Sequence, residues 1–431
     1  MKYNFDEPTS RYGMDSIKWE QYNDPDIIAL SNADMDFDSA PCIKEALVKC
    51  AERGWYGYTL KTDSYYQSII DWYERKFGVK IPKDWILHTP GIWPATRICF
   101  GTYAKPGDKI LVQAPHFHPI IECILGAGCV PITNPMTLKD GHYSLDLQEF
   151  EKVIIHEKPS IYFMVNPQNP TGRAFTMEEL TALGTICARH GVLMISDEVH
   201  SNIIYDGKKH IPAVLLNDEI LDNLVLITGA SKGYNVMGLT HCILLIPNGE
   251  LRTMYEKAMV GYSLDFAVNT FSVEATKAAF SKEADEWLAE LNTYLQGNLD
   301  FMTRFFEENV PAIKVIRPDS SFVVWLDCRE LGLNSAGLRD LFLNKAKVGL
   351  TFGEGYGLTF SWFGINPFTH LDKGGQNAHP KSPLFQKFLE NIFLETKKPP
   401  ISLVIEVNRR RVEIFIILVY NRKLRERQIC I

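Results

Sequence analysis

Ile161-Tyr162-Phe163-Met164-Val165-Asn166-Pro167-Gln168-Asn169-Pro170-Thr171-Gly172 decides the fold: five apolar residues without alternation, then a turn of Asn, Pro and Gly. A continuous apolar run marks a strand buried on both faces, and Pro and Gly end it. Four more segments between residues 80 and 245 repeat this unit. Trp85-Ile86-Leu87 leads into His88-Thr89-Pro90-Gly91, and Lys109-Ile110-Leu111-Val112 into Gln113-Ala114-Pro115-His116-Phe117. Val192-Leu193-Met194-Ile195 leads into Ser196-Asp197-Glu198, and Leu224-Val225-Leu226-Ile227 into Thr228-Gly229-Ala230-Ser231-Lys232. Between two of these runs, Thr176-Met177-Glu178-Glu179 is a capping box that predicts a helix to about Arg189. Strands alternating with helices predict an α/β fold, its mainly parallel sheet covered on both sides. Ligands in such folds sit beyond the carboxyl ends of the strands, where the polar residues gather here.

The rest of the chain bounds the function. At 431 residues, 46% hydrophobic and 23% charged, it has the mass for two or three domains. The net charge of −7 argues against a nucleic-acid partner, which favours a basic surface. That charge is unevenly spread. Residues 396–431 hold nine Lys/Arg against three Asp/Glu, a net of +6, so residues 1–395 carry −13. No apolar run reaches the roughly 18–20 residues of a membrane span, and the first ten residues show no secretory pattern. Nine scattered cysteines without a C-x-x-C pair suit reduced thiols, so a cytoplasmic protein without membrane partner is expected.

Residues 250–310 read as helical, with Trp287, Leu288, Leu291, Tyr294 and Leu295 at helical spacing, and Phe322 to Leu326 as a strand. The expected organisation is a large domain over 46–285 and a smaller α+β domain from 1–45 and 286–395. Residues 396–431 form an atypical extension after Lys397-Lys398-Pro399-Pro400. Within that extension, Val412, Ile414 and Ile416 alternate as in a strand edge, beside the basic run Arg409-Arg410-Arg411.

Taken singly, the strand-end residues are ambiguous. Lys232 fits a solvated loop lysine, or a desolvated amine able to form a Schiff base. Asp197 fits a helix cap or salt bridge, or a buried acid facing a pyridinium nitrogen. Asn169 fits an ordinary turn, or an amide donating to a phenolic oxygen. Gly91 sits where a strand meets a helix, so free N–H groups there can hold a phosphate, with hydroxyls from Thr228 and Ser231. Phe117 fits core packing, or a ring lying flat on another ring.

Their order and spacing resemble the fold-type I pyridoxal-phosphate enzymes of the class I/II aminotransferase superfamily. The branch most similar is the cystathionine β-lyase / cysteine-S-conjugate β-lyase branch (the MalY/PatB type). The segments carrying the likeness are Ala33-Asp34-Met35-Asp36-Phe37, Gly54-Trp55-Tyr56-Gly57-Tyr58, the turn at 166–172, Ser196-Asp197-Glu198-Val199-His200, Ser231-Lys232-Gly233-Tyr234-Asn235 and Trp325-Leu326-Asp327-Cys328-Arg329. They cover roughly residues 10–357, with fainter traces to about 394.

The resemblance implies a seven-stranded-type, mainly parallel sheet between helices, with pyridoxal 5′-phosphate as cofactor and an L-cysteine S-conjugate as substrate. It implies Lys232 as the cofactor-holding lysine and general base, Asp197 as the pyridinium partner, Asn169 on the phenolic oxygen and His200 close by. Phe117 takes the ring-stacking position, where the family usually has Tyr or Trp. Backbone amides of Gly91 and Ile92, with Ser231 and Thr228, take the phosphate. Tyr58 reaches the active site of a second subunit, which makes the working unit a homodimer. The implied reaction is β-elimination to a thiol, pyruvate and ammonia. The alternatives are transamination on the same scaffold, or a catalytically impaired cofactor-binding protein with a regulatory role.

One departure stands out. The family places an Arg in an Arg-Leu-Asn context shortly after a Gly-rich aromatic stretch, to clamp the substrate carboxylate. Here Gly353-Glu354-Gly355-Tyr356-Gly357 fits the stretch, yet residues 358–377 contain no Arg, and Lys373 is their only Lys. A reading-frame disturbance accounts for this and for the unlike tail together. A genuine insertion with another carboxylate ligand is the alternative.

Overall fold

Each apolar run becomes a strand of one sheet. The structure, a computed structural model, describes residues 2–6, 11–353, 362–365, 392, 402–407 and 414–419. The sheet's seven strands are β1 (Ile86–Thr89), β2 (Lys109–Ala114), β3 (Val130–Pro135), β4 (Ile161–Val165), β5 (Leu193–Asp197), β6 (Leu224–Thr228) and β7 (Cys242–Leu245). Their spatial order is β1-β7-β6-β5-β4-β2-β3. Every pairing is parallel except those of β7, which runs antiparallel to both β1 and β6.

The helices that cover the sheet explain why these strands cannot alternate. On one face, Ile161, Phe163, Val165, Ile195 and Val225 pack with α1 (Ile92–Tyr103), α2 (Pro119–Gly126) and α3 (Gly249–Gly261). On the other, Tyr162, Met164, Met194 and Leu226 pack into a second cluster with Leu180 and Leu183 of the helix Met177–Arg189. Successive side chains of a strand point to opposite faces, so a strand between two dry layers needs apolar residues at every position. The predicted capping box at that helix forms: Thr176 Oγ1 accepts from the Glu179 N–H, and Glu179 accepts from the Thr176 N–H at 2.8 Å.

The second apolar cluster runs on beyond this sheet. It continues through the long helix Lys282–Asn309, with Trp287, Leu291 and Leu295, to Val324, Trp325 and Leu326. Those last residues lie in Val324–Asp327, a strand of a four-stranded antiparallel sheet with Lys314–Ile316, Trp362–Ile365 and Thr351–Phe352. A short parallel pairing of Ile28–Ala29 with Val348–Gly349 fastens the N-terminal segment to this region. It thereby brings residues 30–37 to the carboxyl edge of the large sheet. Near the other end of the chain, Ser402–Val407 and Ile414–Val419 pair antiparallel. No helix of the described residues is long and apolar enough to cross a membrane.

Candidate active site

The carboxyl ends of β1, β2, β4, β5 and β6 converge on one cavity. Ile92, Phe117, Asn169, Asp197, His200 and Lys232 all line it, so six of the sequence-predicted residues meet in one place.

Asp197 ends β5, where the register sets it beside Val165 and Ile227. Its carboxyl is buried and accepts one hydrogen bond, from the Val199 N–H at 3.2 Å. Burial pushes its pKa up to about 7, against the pull of that N–H and of Lys232. Lys232 follows β6 on the turn 230–236, and burial pushes its pKa below the ordinary value, against the attraction of Asp197 and Asp34. Its ammonium lies 5.8 Å from the centre of the Phe322 ring, with no hydrogen-bond partner among the described residues. An acid and a base are therefore both taken out of water without a close counter-ion. His200 completes this floor: its Nδ1 is 3.0 Å from Ser321 Oγ, and its ring stacks on Phe322 at 4.8 Å. Burial, then the nearby Lys232 charge, depresses its pKa to about 3, so the imidazole is neutral.

The turn after β4 is held from several sides. Gln168 donates to the Pro115 carbonyl at 2.6 Å and accepts from both the N–H and hydroxyl of Thr171. The Gly172 carbonyl accepts from Asp319 and Ser320 N–H groups, at 3.0 Å each. Gly172 has φ +70°, and an added Cβ there would meet Pro318 and lie 2.8 Å from the Ser320 oxygen. Gly172→Ala is expected to lower stability by about 3 kcal/mol, from left-handed strain and overpacking together. Urea denaturation of parent and variant would check it. Asn169 lines the cavity from this turn, with its Oδ1 buried and unpartnered.

A helix start, through Ile92 and Trp93, also lines the cavity. Gly91 precedes α1 with φ +101°, and no side chain caps the helix. The Gly91 N–H donates to the Thr89 carbonyl at 2.8 Å. The first amides of the helix itself, Ile92 and Trp93, accordingly face outward from the N-terminus, where an anion is favoured. Ser231 Oγ is buried without a partner among the described residues and Thr228 is buried at the end of β6, but these two and Gly91 do not line the cavity. Phe117 stands beside Trp93, ring centres 5.8 Å apart.

These groups fit pyridoxal phosphate. A buried acid without a cation, a desolvated lysine, an unpartnered amide and hydroxyl, and an uncapped helix start complement its ring nitrogen, aldehyde, phenolic oxygen and phosphate.

Tyr58 is not part of this cavity. It is 95% exposed, in a surface stretch with exposed Trp55, Tyr56 and Leu60. Other lining residues carry no such signal in the sequence, among them Asn32, Trp93, Ile120, Phe322 and Thr351. Their composition carries no signal, because packing of distant segments brings them here. No Arg lines the cavity among the described residues. The Arg-free stretch 358–377 lies outside the described residues, apart from the strand Trp362–Ile365.

Comparison with known proteins agrees with this geometry. The chain is 33% identical over 358 residues to cystathionine beta-lyase PatB of Bacillus subtilis, covering 82% of this chain and 92% of that one. It is 26% identical over 360 residues to protein MalY of Escherichia coli, covering 82% and 91%. The crystal structure of cystalysin from Treponema denticola, which contains a pyridoxal 5′-phosphate cofactor, superposes with a TM-score of 0.86 at 26% identity. That match covers 92% of this chain and 99% of cystalysin. The description "Aminotransferase class I and II" matches residues 25–373. With that match and the likeness to PatB over most of both chains, the protein belongs to the class I and II aminotransferase family.

Proposed function

We propose that this protein is a pyridoxal-5′-phosphate-dependent carbon–sulfur β-lyase, which cleaves cystathionine or other L-cysteine S-conjugates to a thiol, pyruvate and ammonia. The observation that carries it is the pair Asp197 and Lys232, both desolvated at one cavity, in a chain one-third identical to a cystathionine β-lyase. The bound cofactor supplies the electron sink that makes Cα acidic.

The chain's residues do the rest. Lys232 holds the cofactor and, as a neutral amine, takes the Cα proton at Nζ; its desolvation favours that neutral form. Asp197 offers a negative oxygen to the ring nitrogen, and Asn169 an amide to the phenolic oxygen, with His200 beside them. Phe117 supports the ring face. The phosphate falls to the Ile92 amide with the Ser231 and Thr228 hydroxyls, since the Gly91 N–H is given to the Thr89 carbonyl.

Tyr58 acts in a second copy of the chain. The support is its surface: Trp55, Tyr58, Leu60 and Phe266 are 65–95% exposed, an apolar patch that a homodimer would cover. We assign the described residues of 46–285 to the cofactor-binding domain and those of 1–45 with 286–395 to the smaller one, and 396–431, most of which lies outside the described residues, to neither. The eight described cysteines are free thiols, which suits the cytoplasm.

Purified protein is expected to be yellow and to release pyruvate from cystathionine without added 2-oxo acid. Turnover that requires a 2-oxo acid and yields no pyruvate would make it an aminotransferase. Colourless, inactive protein would overturn the cofactor assignment as well.

A further inference from the structure

Two segments quoted above for the family likeness, Ala33–Phe37 and Ser231–Asn235, lie about 200 residues apart in the chain and bind each other in the fold. The first lies in no helix or strand, yet its own Ala33, with Leu30 and Asn32 just before it, lines the cavity. Backbone groups of such a segment need partners from elsewhere. Asn235 supplies three: its Oδ1 accepts from the Met35 N–H at 3.0 Å, and its Nδ2 donates to the carbonyls of Met35 at 3.2 Å and Phe37 at 2.9 Å. Ser39 Oγ adds a bond to the Asn235 carbonyl at 3.1 Å.

Asn235 belongs to the same turn as Lys232. The Tyr234 N–H donates to the Ala230 carbonyl and the Val236 N–H to the Ser231 carbonyl, which close the turn on itself. From the other side, buried Lys18 donates to both Asp36 oxygens at 2.9 Å and to the Asp34 carbonyl at 3.0 Å. Trp19 Nε1 also donates to Asp36, and Arg11 to the Phe37 carbonyl. The segment is thus gripped between the lysine turn and the N-terminal helix Ile17–Glu20.

We propose that Asn235 is a positioning residue, which fixes the 33–37 segment to the Lys232 turn and so sets the cavity wall against which substrate is oriented. The inference rests on the lyase reading for its kinetic arm. A side chain that bonded only to its own turn would stabilise that turn; this one spends all three bonds on the opposite wall. Asp34, whose charge acts on Lys232, is carried by the wall that Asn235 holds.

The test is Asn235→Gly in the holoenzyme. Asn235 has φ +57°, which glycine also adopts, so the variant removes the amide without straining the turn. The visible band of bound cofactor is expected to remain, amide exchange at 33–39 to accelerate, and kcat/KM for cystathionine to fall about a hundredfold. A rise in KM is part of that loss, whereas a merely smaller folded fraction would lower kcat alone. Unchanged exchange at 33–39 would overturn the proposal, as would accelerated exchange with kcat/KM within about threefold of the parent. Parent protein that binds cofactor but releases no pyruvate would sink the lyase reading alone. Exchange at 33–39 would still decide the clamp.

Discussion

Lys232→Met is expected to abolish the visible absorbance of covalently held cofactor and to lower pyruvate release by at least about a thousandfold, while the protein stays folded. Both losses follow from one atom, since Nζ is asked to hold the cofactor and to move the Cα proton. Retention of fold follows from what Nζ does not do: no hydrogen bond among the described residues depends on it. Its folded pKa lies below the ordinary lysine value because of burial, so the charged form is the one penalised. For a base with a lowered folded pKa, that penalty is present at low pH and disappears above the unfolded value, about 10.4. The cofactor-free Met variant is therefore expected to denature at higher urea than the cofactor-free parent at neutral pH, the difference vanishing in strong alkali. A Met variant that still releases pyruvate at roughly a tenth of the parental rate would mean that another group carries the proton.

The parts of this architecture legible in the sequence are those where burial leaves one choice. Strands β4, β5 and β6 are buried at every position, so an apolar run fills them up to the polar residues Ser196, Asp197 and Thr228 at the carboxyl ends of β5 and β6. β3 was not foreseen because it is an edge strand: Val130 and Thr133 are partly or fully open to solvent, and Pro131 and Pro135 blur the pattern. β7 has an apolar run, but its antiparallel direction is set by pairing with β1 and β6, which composition does not encode.

The same division holds at the site. Asp197, Asn169 and Lys232 end strands or follow them directly, so topology places them together once the sheet is recognised. Phe322, by contrast, reads only as the start of a strand, and its stacking on His200 depends on how distant segments pack. The start of α1 shows a finer limit. The sequence marks a strand-to-helix turn at Gly91, and only coordinates show that the Gly91 N–H is turned to Thr89.

Asp197→Asn is expected to lower turnover about a thousandfold and, in the cofactor-free protein, to raise stability at alkaline pH. The carboxyl is buried and its pKa stands at about 7, chiefly through desolvation. In the unfolded chain it would titrate near 3.9, so between those values the folded form holds a proton that the unfolded form gives up. The sign is that of a raised acid: full stability below about pH 4, lost as pH rises through 7. A shift of about three units corresponds to a loss of about 4 kcal/mol, as an order of magnitude. Urea midpoints of the cofactor-free parent should fall from pH 5 to pH 8, while those of the Asn variant lack this decline. Parallel pH profiles for parent and variant would refute the assignment. Bound cofactor should flatten the parent's profile too, because a protonated ring nitrogen facing the carboxylate favours its charged form. The strain of ionising a buried acid, which the Val199 N–H and Lys232 offset only in part, is thus relieved further by a ligand that brings a cation to the end of β5, and that differential selects for a protonated ring over a neutral one.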